Sequence, residues 1–584
     1  VKQLSKIHFD ERLNALYTER STWIFHWKDL SQTTSPRSAR FLKTDRNRGD
    51  VRATNIMNNT ATMALRILTS GMMSGITSPA RPWFKLRTAD PDLNEVGPVR
   101  IWLDNAEKVM SGIFLKSNLY TSLPVVYKDL GLYGTSCMVV MEDADSVIWC
   151  QNFPIGSYML GTNEKGKVDS VYRQYMMTPG QIVKQFGRPK TTENGDAPLQ
   201  HAGPVPADDE IDWSNISPAV KNAYLNGNKD AWFDVVHVIE PNQNPDPRKL
   251  DAKFKPYLSV YYEAGAPPET FLSISGFNEF IAVAPRWEVT GEDVYGTSPG
   301  MEALGDNRTL QLKEKRGAQL LDKFTNPAMV APSTMRNKAS SVLPGDVTYV
   351  DQMANGQGFS PAYQIPNPHT QELAASVQRD EARIRTAFYS DLFLMIANDE
   401  REGITATEIA AKQEEKLLAL GPVYLRLNDE LLDPLVERTF AIMLRNQMLP
   451  PAPPQMQGQE LTVEYISIMA QTMKAIGMSG IEKVSAYAVG LLQADPTVAD
   501  VVDFDEAVRS YADMAGTPPK VIRDQVVVAQ MRAQRQQQMQ QQAQMQAMQQ
   551  AADGIHKLGK TPADPSTVLG QLAGQMRQQP GVPA

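Results

Sequence analysis

GITATEIAAKQEEKLLALGPVYLRLNDELLDPLVERTFAIMLRNQML, residues 403–449, reads as one long helix with a built-in start and a built-in bend. Thr405-Ala406-Thr407-Glu408 is a capping box: the Thr405 hydroxyl can accept the Glu408 backbone N–H while the Glu408 carboxylate reaches back. The helix is therefore expected to begin near Thr405. Its apolar residues Leu417, Leu420, Tyr424, Leu427 and Leu431 recur at a three-four spacing, which puts one stripe on one face. Gly421-Pro422 interrupts it, because Pro422 has no N–H to donate and its ring crowds the carbonyl one turn earlier. The stripe keeps phase across the proline, so a kink rather than a stop is expected.

Upstream, Asn398, Asp399, Glu400, Arg401, Glu402 and Gly403 form a short acidic loop, and residues 369–396 before it read as another helix. Further pieces extend the pattern along the chain: Glu19-Arg20 with Trp23 and Trp27, Thr77-Ser78-Pro79 followed by Trp83-Phe84, and Ser117-Asn118. Tyr295-Gly296-Thr297-Ser298-Pro299, Ala387-Phe388-Tyr389 and Thr405-Ala406-Thr407-Glu408-Ile409 complete it. In this order, over residues 10–450, the chain resembles the head-to-tail connecting, or portal, proteins of short-tailed bacteriophages. From Gln455 onward nothing specific matches.

The chain has 584 residues, far more than one hydrophobic core requires, so about two to four domains are expected. Its 42% hydrophobic and 21% charged residues are ordinary for a globular protein. A net charge of −8 argues against a protein whose main work is gripping nucleic acid. It leaves room for a DNA conduit, where a tight phosphate grip would hinder sliding. Cys137 and Cys150 stand in no CxxC pair and near no histidine cluster, and are expected as reduced thiols. No apolar run approaches the roughly 20 residues of a membrane span, and Val1-Lys2-Gln3-Leu4 opens no apolar signal core. A soluble protein, cytoplasmic when made and without membrane contact, is expected.

The periodicity predicts an amphipathic helix over 10–29, with Leu13, Leu16, Tyr17, Ile24 and Trp27 on one face. Further helices are expected at 55–73, 99–115 and 123–132, then a buried strand at 136–141. Runs rich in β-branched and aromatic residues at 170–175, 232–239, 257–263 and 271–274 predict strands. Ser298 is a plausible N-cap with Pro299 at the first helical position of a helix to about 324. A Pro- and Gly-rich stretch with short strand signals, 327–368, separates it from the next helix. Pro450-Pro451-Ala452-Pro453-Pro454 is a stiff linker before a helical stretch at 462–514. The Gln, Met and Ala tract at 521–555 has two readings, a helix supported by neighbours or a low-complexity tail.

The fold class expected is multidomain α+β. The resemblance implies a wing over 1–297, stem helices at 298–326 and 369–397, a small β-containing clip at 327–368 and a tunnel loop at 398–404. It further implies a long kinked helix at 405–449, a helical crown at 450–520, and a C-terminal barrel helix or flexible tail at 521–584.

Several motifs imitate chemistry. Gly161-Thr162-Asn163-Glu164-Lys165-Gly166-Lys167-Val168 nearly spells a phosphate loop, but Val168 has no hydroxyl for magnesium and a strand follows instead of a helix. A polar hairpin turn is the better reading. Gly296-Thr297-Ser298-Pro299-Gly300 fits the GxSxG of a hydrolase elbow, yet Pro299 lacks the N–H that would serve the oxyanion. Glu142, Asp143 and Asp145 crowd a turn and are read as solvated rather than as a cation site. His8, His26, His201, His237, His369 and His556 show no ligand spacing, so no metal, cofactor or acid-base catalyst is expected.

Arg308, Lys313, Lys315, Arg316 and Lys323 stand against Asp306, Glu314 and Asp322 in the first stem helix. They read first as a solvated or intersubunit face, and alternatively as channel charges touching phosphates, since a ring repeats each residue as a belt. The resemblance implies a non-enzymatic ring of twelve at one capsid vertex of the virion, with double-stranded DNA passing through its axis. It implies as partners a terminase packaging motor, major capsid and scaffolding proteins, and tail adaptor proteins. Rival readings are a helical scaffolding or adaptor protein, and a hydrolase using Ser298.

Overall fold

The structure, a computed structural model, describes residues 5–189 apart from 43, 45–48, 50, 53 and 95, and residues 211–327. It further describes 329–330, 336, 360–361, 370–397, 420–456, 461–465, 468–491, 501–514, 521–523 and 525–558. The chain divides into two compact units, one of residues 1–87, 104–451 and 461–482, the other of 88–103, 452–460 and 483–584. The elements in chain order are α1 (Lys6–Thr34), α2 (Thr60–Ile76), β1 (Phe84–Thr88), α3 (Pro91–Asn94), α4 (Gly97–Lys116), α5 (Leu119–Tyr133), β2 (Cys137–Asp143) and β3 (Val147–Phe153). There follow β4 (Tyr158–Thr162), β5 (Val168–Met177), α6 (Pro179–Phe186), β6 (Arg188–Pro189), β7 (Ile211–Asp212), α7 (Pro218–Leu225), β8 (Phe233–Pro241), β9 (Tyr257–Glu263), β10 (Ser273–Phe277) and β11 (Ala282–Val283). Then come α8 (Pro299–Glu302), α9 (Leu304–Thr325), β12 (Met329–Val330), β13 (Ser360–Pro361), α10 (Thr370–Ala387) and α11 (Ser390–Ala397), with β14 (Leu461–Tyr465) beyond the long helix.

The larger unit is built on a five-stranded antiparallel sheet of order β10-β9-β8-β5-β4 and a three-stranded sheet of order β11-β2-β3. Side chains alternate faces along a strand, and β8 uses both faces. Val236 and Val238 pack with Phe9, Leu13 and Leu16 of α1, while Val235 packs with Ile182 and Val183 of α6 and Val220 of α7. Burial on both sides explains why this strand reads as a continuous apolar run rather than an alternation. In α1 the buried stripe runs Leu13, Leu16, Arg20, Ile24, Trp27. Tyr17, expected on that face, is 49% exposed instead. Arg20 takes its place because its guanidinium donates to the carbonyls of Gly156 and Tyr158 at 2.7 and 2.8 Å, which satisfies a buried charge.

Other expectations shift at their edges. Helix α2 starts at Thr60 rather than at 55. The helix expected over 369–396 is two, α10 and α11, separated where Tyr389 takes a positive φ of 54°. Residues 461–465, at the start of the stretch read as helical from 462, form a strand paired with β1, and helices follow at Ile468–Leu491 and Phe504–Met514.

The deciding stretch is described from Leu420. Thr405 and Glu408, and with them the capping box, lie outside the described residues. A helix begins at Gly421 with Pro422 in its first turn, where a missing N–H breaks no bond. An irregularity absent from the sequence reading lies further on, in the π turn Asn428–Leu432, where the Asp433 N–H reaches five residues back to the Asn428 carbonyl. Pro434 follows at once, and the wider turn makes room for its ring beside a chain that it cannot hydrogen-bond. The helix then runs Asp433–Arg445, and the stripe stays buried through Leu420, Leu427, Leu431, Leu435 and Ile442.

In the smaller unit, the 34-residue helix Gln525–Leu558 covers the Gln-rich tract. Val527, Met531, Met545 and Met548 of its apolar seam are exposed. Arg532 pairs with Asp505 of Phe504–Met514, and Arg100 donates to the Ile522 carbonyl at 2.8 Å.

Candidate functional site

The helix pair expected as the stem is held together by polar contacts. Ser298 caps α8, accepting the Met301 N–H at 3.1 Å, and its own hydroxyl donates to the Leu132 carbonyl at 2.8 Å. Lys313 of α9 donates to Asp380 and Ser376 of α10, both at 2.7 Å. Asp306 faces Arg383 and Gly317 faces Leu373, so residue numbers rise on α9 as they fall on α10 and the two helices run antiparallel. The loop before α2 is stitched onto the pair. The backbone N–H groups of Met57 and Asn58 donate to Gln311, and the Asn58 side-chain amide donates to Glu314 and Glu381 at 3.0 and 2.9 Å.

The five stem cations thus separate into two kinds. Lys313 is spent inside the hairpin, and Arg308 is paired with Asp29 of α1. Lys315, Arg316 and Lys323 are exposed and carry no ion pair among the described residues. From residue 318 to 326 nearly every position of α9 is exposed, Leu321 and Phe324 included. Beyond it, β12 pairs with β13 inside the stretch expected as the clip. The acidic loop residues Asp399, Glu400, Arg401, Glu402 and Gly403 lie outside the described residues.

A second polar group anchors the helix around its π turn. Arg286 is 3% exposed and forks onto both Glu430 oxygens at 2.6 and 3.1 Å, while its Nη2 also donates to the Gly166 carbonyl. Arg438 donates to the Val140 carbonyl and to Glu279, at 2.7 and 3.0 Å. Arg445 bridges Glu279 and Glu142. These residues were invisible in the sequence because their partners lie more than a hundred positions away; only the place of Glu430, Arg438 and Arg445 on the stripe-bearing helix hinted at burial.

The imitation motifs resolve as structure. Lys167 closes the β4–β5 hairpin, where Gly166 has φ 73°, and pairs with Asp429. Ser298 is buried and engaged as a cap. Asp143 accepts the Ser146 N–H and hydroxyl and the Asp145 N–H, which hold its carboxyl below the usual range. His237 stacks on Tyr261 with ring centroids 3.8 Å apart, and burial pushes it down to about 3. Cys137 and Cys150 are free and buried, both pushed up to about 12 by desolvation. Among the described residues no group of His, Cys, Asp and Glu is arranged to hold a metal, and no helix is long and apolar enough to cross a membrane.

Similarity to known proteins follows the whole chain. The family model for bacteriophage head to tail connecting proteins matches residues 7–198 and 206–522. The chain is 45% identical to a portal protein of Salmonella phage epsilon15 over 572 residues, covering 97% of this chain and 98% of that protein. It is 39% identical to a probable portal protein of Bordetella phage BPP-1 over 558 residues, covering 96% of each. With a capped, antiparallel helix pair and a helix carrying a π turn built on an α+β body, this chain belongs to the bacteriophage head-to-tail connecting, or portal, protein family.

Proposed function

We propose that twelve copies close into a ring at one capsid vertex and that double-stranded DNA passes through its axis during packaging and ejection. The observation that carries this reading is the α9–α10 hairpin, whose proximal half is locked by Lys313, Asp380 and Gln311 while its distal half stands exposed. The exposed part of α9 bears Leu321 and Phe324 on one side and Lys315, Arg316 and Lys323 around the other, which suits burial of the apolar pair against neighbouring copies, and a ring repeats its charges as belts. On this reading 298–326 and 369–397 are the stem, and 327–368 is the clip that meets the packaging motor and later the tail adaptor. Residues 1–297 form the wing, 450–520 the crown, and 521–584 the C-terminal barrel helix or flexible tail. The ring contacts major capsid and scaffolding proteins during assembly, and the motor's nucleotide chemistry belongs to the terminase.

The loop 398–404 then narrows the channel. Asp399, Glu400 and Glu402 outnumber Arg401, so every subunit adds negative charge that repels phosphates and keeps the contact slippery. Replacing all three acids with lysine is expected to leave assembly unchanged, since exposed loop positions contribute little to stability. It should slow DNA passage, more so at low salt. Single-molecule packaging rates at two salt concentrations measure this. Wild-type rates at both would place the loop away from DNA.

A further inference from the structure

A cavity of about 1000 Å³ opens in the larger unit between α1, the β4–β5 edge of the sheet and α6. Four cations line it, Arg20, Arg40, Arg173 and Lys184, and no Asp or Glu is among the described residues of its wall. In a chain of net charge −8 this is a local reversal of sign. None of the contacts described for the α9–α10 pair or around the π turn uses it.

Arg173 is the informative residue. Its guanidinium lies 4.2 Å from the centroid of the Phe153 ring and 4.3 Å from that of Tyr175. It donates no hydrogen bond to any described residue, and its buried Nε has no partner. Cation–π contact stabilises the charge through its faces, but a guanidinium bonds through its edge, and that edge is left without an acceptor. A planar fork of this kind matches a carboxylate or a phosphate in a bidentate contact. Arg20 differs, because its Nη1 is committed to two backbone carbonyls.

The rest of the wall decides between these two acceptors. Two of its aromatic faces are already covered by arginines, Tyr175 by Arg173 and Tyr17 by Arg20, the latter at 5.3 Å. Single-stranded nucleic acid binds by stacking successive bases on aromatic faces, and with Tyr17 and Tyr175 covered the other aromatic side chains of the described wall are Phe41 and Trp232. Met176, half-buried on β5, together with the edges of the core residues Met159 and Met177, supplies an adaptable apolar lining of the kind that seats varied side chains of a peptide. We propose that this cavity receives an acidic peptide segment of a partner protein, with one Asp or Glu carboxylate on the edge of Arg173 and a neighbouring apolar side chain among the methionines. Lys184, exposed at the rim on α6, steers the acidic segment in.

The proposal is independent of ring formation and is tested on the full-length protein. The probe is a fluorescein-labelled octapeptide of alternating glutamate and leucine, followed by anisotropy against its glutamine–leucine counterpart and against labelled hexathymidylate. Saturable binding of the glutamate peptide is expected, with the glutamine peptide and Arg173→Met each weaker by at least about tenfold, the loss of a charge-assisted pair. Lys184→Glu, at an exposed position that leaves folding intact, should weaken binding severalfold. If Arg173→Met fails to fold, Lys184→Glu and the glutamine peptide decide. No saturable binding below about 1 mM, equal binding of the two peptides, or wild-type binding by Lys184→Glu would overturn the proposal. Tighter binding of hexathymidylate at the same residues would assign the cavity to nucleic acid instead.

Discussion

Arg286 and Lys167 belong to one network around the π turn, yet they differ in what their removal should cost. Arg286 and Glu430 are 3% and 11% exposed, and truncating Arg286 leaves the buried Glu430 charge only the more distant, half-buried Arg426, at 3.6 Å. Arg286→Ala is expected to destabilise by roughly 3–5 kcal/mol. Lys167 and Asp429 are both more than half exposed, so Lys167→Ala should fall within about 1 kcal/mol of wild type. Urea denaturation of the two variants side by side measures the difference, and equal losses would contradict the assignment. Glu107 supplies a pH dependence. It accepts the Leu86 N–H of β1 at 2.8 Å, and burial pushes its carboxyl from 4.5 up to about 7. The folded chain therefore holds this proton more tightly than the unfolded one. Its contribution to stability declines as pH rises from 4.5 toward 7 and is fully lost above that, a change on the order of 3 kcal/mol. Glu107→Gln keeps the acceptor and removes the ionisation, so it should flatten the fall in denaturation midpoint between pH 5 and pH 8. An unchanged slope would show that Glu107 titrates normally.

At the level of elements, the end of α5 is pinned by close backbone approach. Gly134 has φ 74°, its N–H donates to the Leu130 carbonyl, and a Cβ there would stand 2.2 Å from the Gly296 oxygen. Neither backbone can move aside, because Trp287 also donates to the Gly134 carbonyl at 2.9 Å. Gly166 has nearly the same φ, 73°, with nothing near its missing Cβ. Gly166→Ala should cost only the conformational penalty, about 1 kcal/mol, whereas Gly134→Ala should lose several times more, read as a drop in soluble yield and melting temperature. Comparable behaviour of the two would mean that the contact relaxes. The strands 257–263 and 232–239 and the cap at Ser298 were legible in the sequence because β-branched runs and capping chemistry are local signals. The pairing of β14 with β1 was not, since it joins segments nearly four hundred positions apart and leaves no local trace. Tyr389 in a left-handed conformation and the π turn before Pro434 were missed for a related reason: packing imposes them against propensity. Of the candidate site, the cations of α9 were legible as a charged face, but only the structure separated Lys313, spent on Asp380, from Lys315, Arg316 and Lys323.

Across the whole molecule, the features that a single chain leaves unfinished are surfaces. The distal half of α9 exposes Leu321 and Phe324, and the helix Gln525–Leu558 exposes Met539, Met545 and Met548. Apolar residues on long exposed helices gain about 25 cal/mol for each Å² removed from water, so the proposed contacts between copies would gain from covering both. Head-to-tail contacts between identical chains close into a ring only when the rotation per subunit divides the circle, and otherwise grow into filaments. Full-length membership of the portal family selects the closed form as the proposal, while the chain's own residues supply the faces to be covered. The most direct test is electron microscopy of the purified protein together with its native mass. The account predicts closed rings with an open axial channel and a mass twelve times the 64.8 kDa subunit. A monodisperse 64.8 kDa monomer at micromolar concentration, or a closed particle without a channel, would contradict it.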